Sequence, residues 1–190
     1  MKLRWALVVI GMWIMGSICM SVVATENFYT IDRLLDTSPN MEFHRAVQQL
    51  GHAPARDLLR YLSSELNRLY FQVWNVTQLA LGGLALWLLA TSPASSAMRD
   101  AQRRRALWGV AAMVGVVVLM LGYLTPQIVM LGRSLDFVPR DPAPPGMQKF
   151  WILHAAYTSL EMLKLLIGIV VASWIARSVL VTSEVLGARC

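Results

Sequence analysis

Residues 154–164 read HAAYTSLEMLK, and four of their side chains can hold or transfer a proton: His154, Tyr157, Glu161 and Lys164. They lie in a run that is otherwise Phe, Trp, Ile, Leu, Val and Ala. A carboxylate and an ammonium three residues apart can pair on one helix face, and a carboxylate or an imidazole can act as a general acid or base. At about 100° per residue the four fall near 0°, 300°, 340° and 280°, an arc of about 80°, and Gly168 and Ala172 continue the same stripe. A charge facing lipid at the bilayer centre costs about 2.5–3.5 kcal/mol even on the lenient insertion scale, so this face must look into protein or water. Asn75 and Gln78 mark a second stripe. Ser64, Asn67, Arg68, Gly82 and Ala85 share its arc, polar residues toward one end and small ones toward the other. Tyr123 and Gln127 flank Pro126, where a kink is expected.

Positioning such stripes requires long apolar helices. The chain has 190 residues, 56% hydrophobic and 15% charged, with a mean hydropathy of +0.52; an ordinary soluble domain is about 45–50% apolar and about 25% charged. Four stretches, about 5–24, 69–90, 106–130 and 150–176, approach or exceed the roughly 20 residues needed to cross a hydrocarbon core of about 30 Å. Their apolar residues run continuously rather than alternating, which excludes strands. The expected fold is all-α: one integral membrane domain over 1–190, a four-helix bundle with an amphipathic helical extracytoplasmic loop at 25–68. Within that loop Ser38 and Pro39 mark a helix start and Gly51 its end, and Pro54 opens a second helix that runs into the second span. Leu58, Leu59, Leu62 and Leu66 recur at helical spacing there, with Arg56, Asp57, Arg60 and Ser63 between them. Forty-four residues are too few for an independent core. The stretch GRSLDFVPRDPAPPGMQK, with four prolines, predicts irregular backbone.

Small residues suggest where helices approach closely: Ser17, Ser21 and Ala24 in the first span, Gly115 and Gly122 in the third. Trp5, Tyr70, Trp108, Trp151 and Trp174 lie near span ends, as in an interfacial belt. Depth along each span places Asn75, Gln78, Tyr123, His154 and Tyr157 on the outer side and Glu161 and Lys164 near the midplane. These seven form the candidate intramembrane polar site, a cavity opening outward above a tightly packed half. MKLRWALVVIGMWIMGSICMSVVATEN also fits a secretory signal peptide with Val22 and Ala24 before a cut, but its apolar stretch of about 19 residues exceeds the usual 7–15, and retention is expected.

The net charge of +6 is distributed unevenly. One face receives Lys2, Arg4, Arg99, Arg103, Arg104, Arg105, Arg177 and Arg189 against Asp100 and Glu184, and so carries the whole excess. The other face carries eight basic and eight acidic residues. Basic density, the RRR run and the acid-free N-terminus place both termini in the cytoplasm, and the expected setting is that of a multi-pass protein in a bacterial inner membrane. The excess charge then serves orientation and attraction to anionic lipid rather than nucleic acid.

Two cysteines without a CxxC leave no redox pair or thiolate zinc site, and both Cys19 and Cys190 are read as inert. Haem would want paired axial ligands, and only His154 of the three histidines lies in a span. No phosphate-cradling loop or HExxH is present. No catalytic residue, cofactor or metal is therefore expected. Two readings stand: a protein that binds or transports a small solute or proton through the polar cavity, and a structural or assembly partner of a membrane complex, or of a second copy, whose polar stripe packs helices. His154 suits an interfacial histidine, and Asn75 and Gln78 suit interhelical hydrogen bonding.

A first span ending SVVATENFYTIDRLL, the lead-in ARDLLRYLSSELNRLYF to the second, and a last span beginning FWILHAAYTSLEMLK resemble the uncharacterised bacterial family catalogued as domain of unknown function 4149, related to a eukaryotic four-span membrane protein. The resemblance covers most of the chain and rests on a small-residue first helix, a polar lead-in to the second and a histidine early in the last. The lead-in here is longer than that pattern. The resemblance implies an α-helical multi-pass membrane protein and no particular reaction.

Overall fold

The computed structural model describes residues 1–37, 40–92 and 98–187, with side chains as far as Leu180. Every regular element among them is helical: α1 (Lys2–Thr37), α2 (Met41–Leu50), α3 (His52–Ala90), α4 (Asp100–Leu119), a π-helical turn (Met120–Leu124), α5 (Thr125–Ser134) and α6 (Met147–Gly187). Four stretches, Lys2–Thr37, His52–Ala90, Asp100–Ser134 and Met147–Leu180, are long and apolar enough to cross a membrane. The all-helical, membrane-crossing class therefore holds.

The boundaries differ from the sequence expectation. At about 1.5 Å per residue, α1 and α3 are each over 50 Å long, well beyond the roughly 30 Å of a hydrocarbon core. α1 does not stop near residue 24. No glycine or proline occurs between Gly16 and Pro39, so nothing interrupts the hydrogen-bond ladder. Most of 25–68 is consequently not a loop but an extension of two long helices with α2 set between them. Ile31 and Leu35 of α1 bury against Ala55 of α3, with Phe43 and Val47 of α2 packed over them. Asp32 accepts from Arg56 at 2.9 Å and lies 3.5 Å from Arg60, bracing the same contact.

Local caps explain the breaks. Asn40, rather than the Ser38–Pro39 pair, starts α2: its Oδ1 accepts from the backbone N–H groups of Glu42 at 2.8 Å and Phe43 at 3.2 Å. Ser38 and Pro39 lie outside the described residues. Gly51, at φ 90°, ends α2 as expected and opens α3 directly at His52, a conformation that a side chain would penalise. Pro54 thus sits inside the first turn of α3, where its missing N–H costs no hydrogen bond. Pro126 is the second residue of α5. It cannot donate to the carbonyl one turn before it, and the wider π-helical turn immediately ahead accommodates the defect.

α1 packs against α3 and α6, and α4 packs against the same two, so the four long helices form a closed ring. The end that carries Met1, Arg99 and Arg177 is densely filled. Ala6, Ile10 and Trp13 of α1, Ala85 and Leu89 of α3, Ala106, Val110, Met113 and Val117 of α4, and Val171 and Ile175 of α6 are all buried there. Close approach at this end depends on Gly82, whose missing Cβ would lie 2.5 Å from Val114 and about 3.0 Å from Trp13, and on Gly168, set against Ile14 and Met113. Gly115 and Gly122 do not play the expected part: both are exposed with no atom within 4 Å of a would-be Cβ. They sit on the face of α4 and its π-helical continuation opposite Met113, Val117 and Met120. Trp5, Trp108 and Trp151 are exposed at span ends, whereas Tyr70 and Trp174 are half-buried.

Gly82→Ala should lower stability by about 1–3 kcal/mol through overpacking against Trp13 and Val114. Gly83→Ala, one residue away in open space, should be neutral or gain up to about 1 kcal/mol of helix propensity. Unfolding of both variants in mixed micelles by SDS titration measures the difference.

Candidate functional site

Above the packed end the polar stripes meet, and the amide of Gln78 joins them. Trp13 Nε1 donates to Gln78 Oε1 at 2.8 Å, and Lys164 Nζ donates to the same oxygen. Both groups can only donate, so the amide oxygen must face them and its nitrogen must point away. Gln78 Nε2 accordingly donates to Asn75 Oδ1 at 3.2 Å, and Asn75 Nδ2 donates to Thr125 Oγ1 at 3.2 Å. Tyr157 completes the chain, its hydroxyl donating to Asn75 Oδ1 at 3.5 Å. Lys164 also donates to Glu161 Oε2 at 2.6 Å, and the lysine side chain is only 1% exposed. A single hydrogen-bonded network therefore links α1, α3, α5 and α6 at the height where the ring would otherwise be oil.

Toward the opposite end the helices part around a cavity of about 400 Å³, within the range of about 300–1,000 Å³ typical of small-molecule sites. Glu161 and Tyr157 line it from α6, Trp74, Phe71 and Arg68 from α3, Ser17 and Met20 from α1, and Thr125 and Ile128 from α5. The ring of Tyr157 stands edge-on to Phe71 at 5.5 Å. Ser17 Oγ and Trp74 Nε1, on two of these lining residues, are buried without a hydrogen-bond partner. Buried polar groups are ordinarily satisfied, so each such exception calls for an explanation.

A second ionic group closes the far end of the cavity. Arg68, 13% exposed at its side chain, donates to Asp136 Oδ2 at 3.0 Å and also pairs with Glu65. Arg133 reaches the other Glu65 oxygen at 3.2 Å. Gly132 admits the Arg68 guanidinium, which a Cβ there would meet at 3.0 Å. Beside it, Asn67 accepts from Asn27 Nδ2 at 2.6 Å and donates to the carbonyl of Ala24 at 3.0 Å, tying α3 to α1.

Of the seven candidate residues, six converge and one does not. Asn75 and Gln78 are fully buried, Lys164 and Glu161 pair, and Tyr157 joins them through Asn75. His154 sits at the rim, its ring 4.8 Å from that of Phe150. Tyr123 is 57% exposed and belongs to no part of the network: the buried side of this span runs through Val117, Met120 and Leu124, and Tyr123 lies off it. Trp13 and Thr125 join the network without a mark in the sequence, since an indole in an apolar run and a threonine before a proline carry no polar periodicity of their own. The roles of Glu65, Arg133 and Asp136 depend on contacts 68 residues apart, which no local spacing reveals. Among the described residues no three His, Cys, Asp or Glu side chains converge as a metal would need. The chain matches no family model, and neither a curated protein nor a solved structure is similar to it.

Glu161→Gln should cost about 3 kcal/mol or more, because it leaves the buried Lys164 ammonium without its counter-charge. The double variant Lys164→Met/Glu161→Gln should recover most of that loss. A double-mutant cycle read by SDS-titration unfolding would contradict the pairing if the two single effects simply add.

Proposed function

We propose that the chain is a membrane-embedded four-helix bundle that binds a small, electrically neutral amphiphile in the cavity between α1, α3, α5 and α6. The supporting observation is the composition of the cavity wall. Its surface is mainly apolar, and each charge on it already has an opposite partner: Lys164 with Glu161, and Arg68 with Asp136 and Glu65. A charged ligand would add an uncompensated charge to a mainly apolar site, whereas a hydroxyl or carbonyl head could satisfy Ser17 Oγ and Trp74 Nε1, the two unpartnered groups among its lining residues.

The rim indicates the route of entry. Ser21 and Thr25 of α1 and Thr158 and Met162 of α6 line the cavity and are exposed at its edge. Counting from the centre of 150–176, Met162 lies at the bilayer midplane and Thr158 about 7 Å above it; by the same count Ser21 stands about 10 Å above the midpoint of 5–24. An opening at those depths faces acyl chains rather than water, so the ligand arrives sideways from one leaflet. With the arginine-rich end in the cytoplasm, as the basic density favours, that leaflet is the outer one of a bacterial inner membrane. Retention of the first span belongs to this reading, because Trp13 and Ser17 supply part of the network and of the cavity. Membership of the family of unknown function 4149 belongs to the same proposal, since the residues that resemble it are those of the first span, the lead-in to the second and the start of the last.

The alternative reading, a structural or assembly partner, is favoured by one observation: Gln78, Lys164 and Trp13 are buried away from the cavity and serve packing. Glu161→Gln does not separate the two readings, since Glu161 both lines the cavity and neutralises Lys164. Thr158→Trp and Ser21→Trp do, because they fill the rim without touching the network. Mass spectrometry of lipids retained by the chain purified in mild detergent should show a neutral amphiphile near one per chain, reduced about tenfold or more by either substitution, as steric overpacking of about 1–3 kcal/mol implies. Equal retention in wild type and both variants would reject the binding reading, and loss of a co-purifying protein in its place would support the assembly one.

A further inference from the structure

A cleft of about 720 Å³ lies at the other end of the molecule, between the start of α4 and the last described turns of α6. Arg99 and Arg105 line it from α4 and Arg177 from α6, with Trp174 between them. Its floor is tied across the two helices by Gln102, whose Nε2 donates to the carbonyl of Trp174 at 2.9 Å. The three arginines are exposed, and no carboxylate lines the cleft among the described residues. The nearest acidic neighbour in sequence, Asp100, lies 3.8 Å from Arg103, and Arg103 in turn donates to the carbonyl of Ser92 at 3.1 Å. Arg103 is thereby committed to bracing the α3–α4 connection, while its three neighbours are left around a concave basic surface. Arg99 stands immediately before the first turn of α4, where unpaired N–H groups add positive potential.

We propose that this cleft is a specific site for the phosphodiester headgroup of an anionic phospholipid, independent of the cavity described above. A planar guanidinium fork matches phosphate oxygens, and three of them suit a headgroup carrying two phosphates better than one carrying a single phosphate. Position selects a lipid over a free anion. The cleft lies at the end of the fourth apolar span and is lined by Trp174, a residue type that favours the membrane interface. A headgroup seated there leaves its acyl chains to the exposed apolar residues one turn further into the same spans, Trp108 beyond Arg105 and Val170 beyond Trp174. A basic pocket between membrane helices at this interface is a recognised setting for such lipids.

The site is distinguishable from diffuse attraction of a basic surface to an anionic leaflet. The full chain in nanodiscs of phosphatidylcholine with a few per cent cardiolipin is compared with the triple variant Arg99→Gln/Arg105→Gln/Arg177→Gln, and with a control removing the same charge at the same end, Lys2→Gln/Arg4→Gln/Arg104→Gln. Native mass spectrometry of bound cardiolipin should show a saturable site whose affinity falls roughly fivefold for each cleft arginine removed, with the control close to wild type. Equal loss in the control reduces the effect to leaflet electrostatics and overturns the proposal. In a second arm, inorganic phosphate is titrated into the chain in pure phosphatidylcholine nanodiscs. Saturable binding that the triple variant abolishes would assign the cleft to a free anion and likewise overturn the lipid assignment. Wild-type unfolding behaviour of the triple variant, whose changes all lie on exposed side chains, verifies that folding is not the cause.

Discussion

The structure depends on an ammonium that hydrocarbon cannot accommodate. Lys164 is 1% exposed at its side chain, near the middle of a span, and an ion in such a place must be paired and hydrogen-bonded or give up its charge. Glu161 supplies the counter-charge from one turn earlier on the same helix. That pair alone would not locate α6 against anything. The Gln78 oxygen does so, because it accepts from Lys164 and from Trp13 together and so ties α6, α3 and α1 at one height. Asn75 extends the tie to Thr125 after the π-helical turn. Helices in a membrane lack the hydrophobic drive that assembles a soluble core, and their register is set by close packing and by such hydrogen bonds.

This network divides the molecule into two regimes. Toward the termini, Gly82 and Gly168 let indole and aliphatic side chains meet backbone, and the interior is filled. Toward the long extensions of α1 and α3 the walls separate, and the space between them is bounded at its far end by the Arg68, Glu65, Asp136 and Arg133 group. Polar residues thus serve two purposes within one stripe. Gln78 and Lys164 hold helices together; Glu161 and Tyr157 both support that contact and line the cavity.

The extensions show how a long connection can be ordered without becoming a domain. Within 25–37 and 40–68, α1 and α3 continue unbroken past the apolar spans and α2 packs over them, held by Ile31, Leu35, Ala55 and the Asp32–Arg56 pair. The small cluster is stable only as an outgrowth of the larger ring, in keeping with the few apolar residues it contains.

What the amino-acid sequence determined by itself was the class of element and the direction each polar face must take. Continuous apolar runs admit only helices across a bilayer, and the helical period is strict enough to align His154, Tyr157, Glu161 and Lys164 on one face and Asn75 with Gln78 on another. Breaks followed where backbone chemistry is local, as at Gly51. The tertiary structure alone decided which faces meet. Gly115 and Gly122 are as small as Gly82 and Gly168 but lie on the outward side of α4 and its π-helical continuation, and size at a position says nothing about what stands opposite. Tyr123 left the site because depth along a span says nothing of direction, and the buried side of its helix runs through Val117, Met120 and Leu124 instead. Trp13 entered it through a single N–H on an otherwise apolar ring. The pairing of Arg68 with Asp136 joins residues far apart in the chain, and only the packing of α3 beside α5 brings their charges within reach.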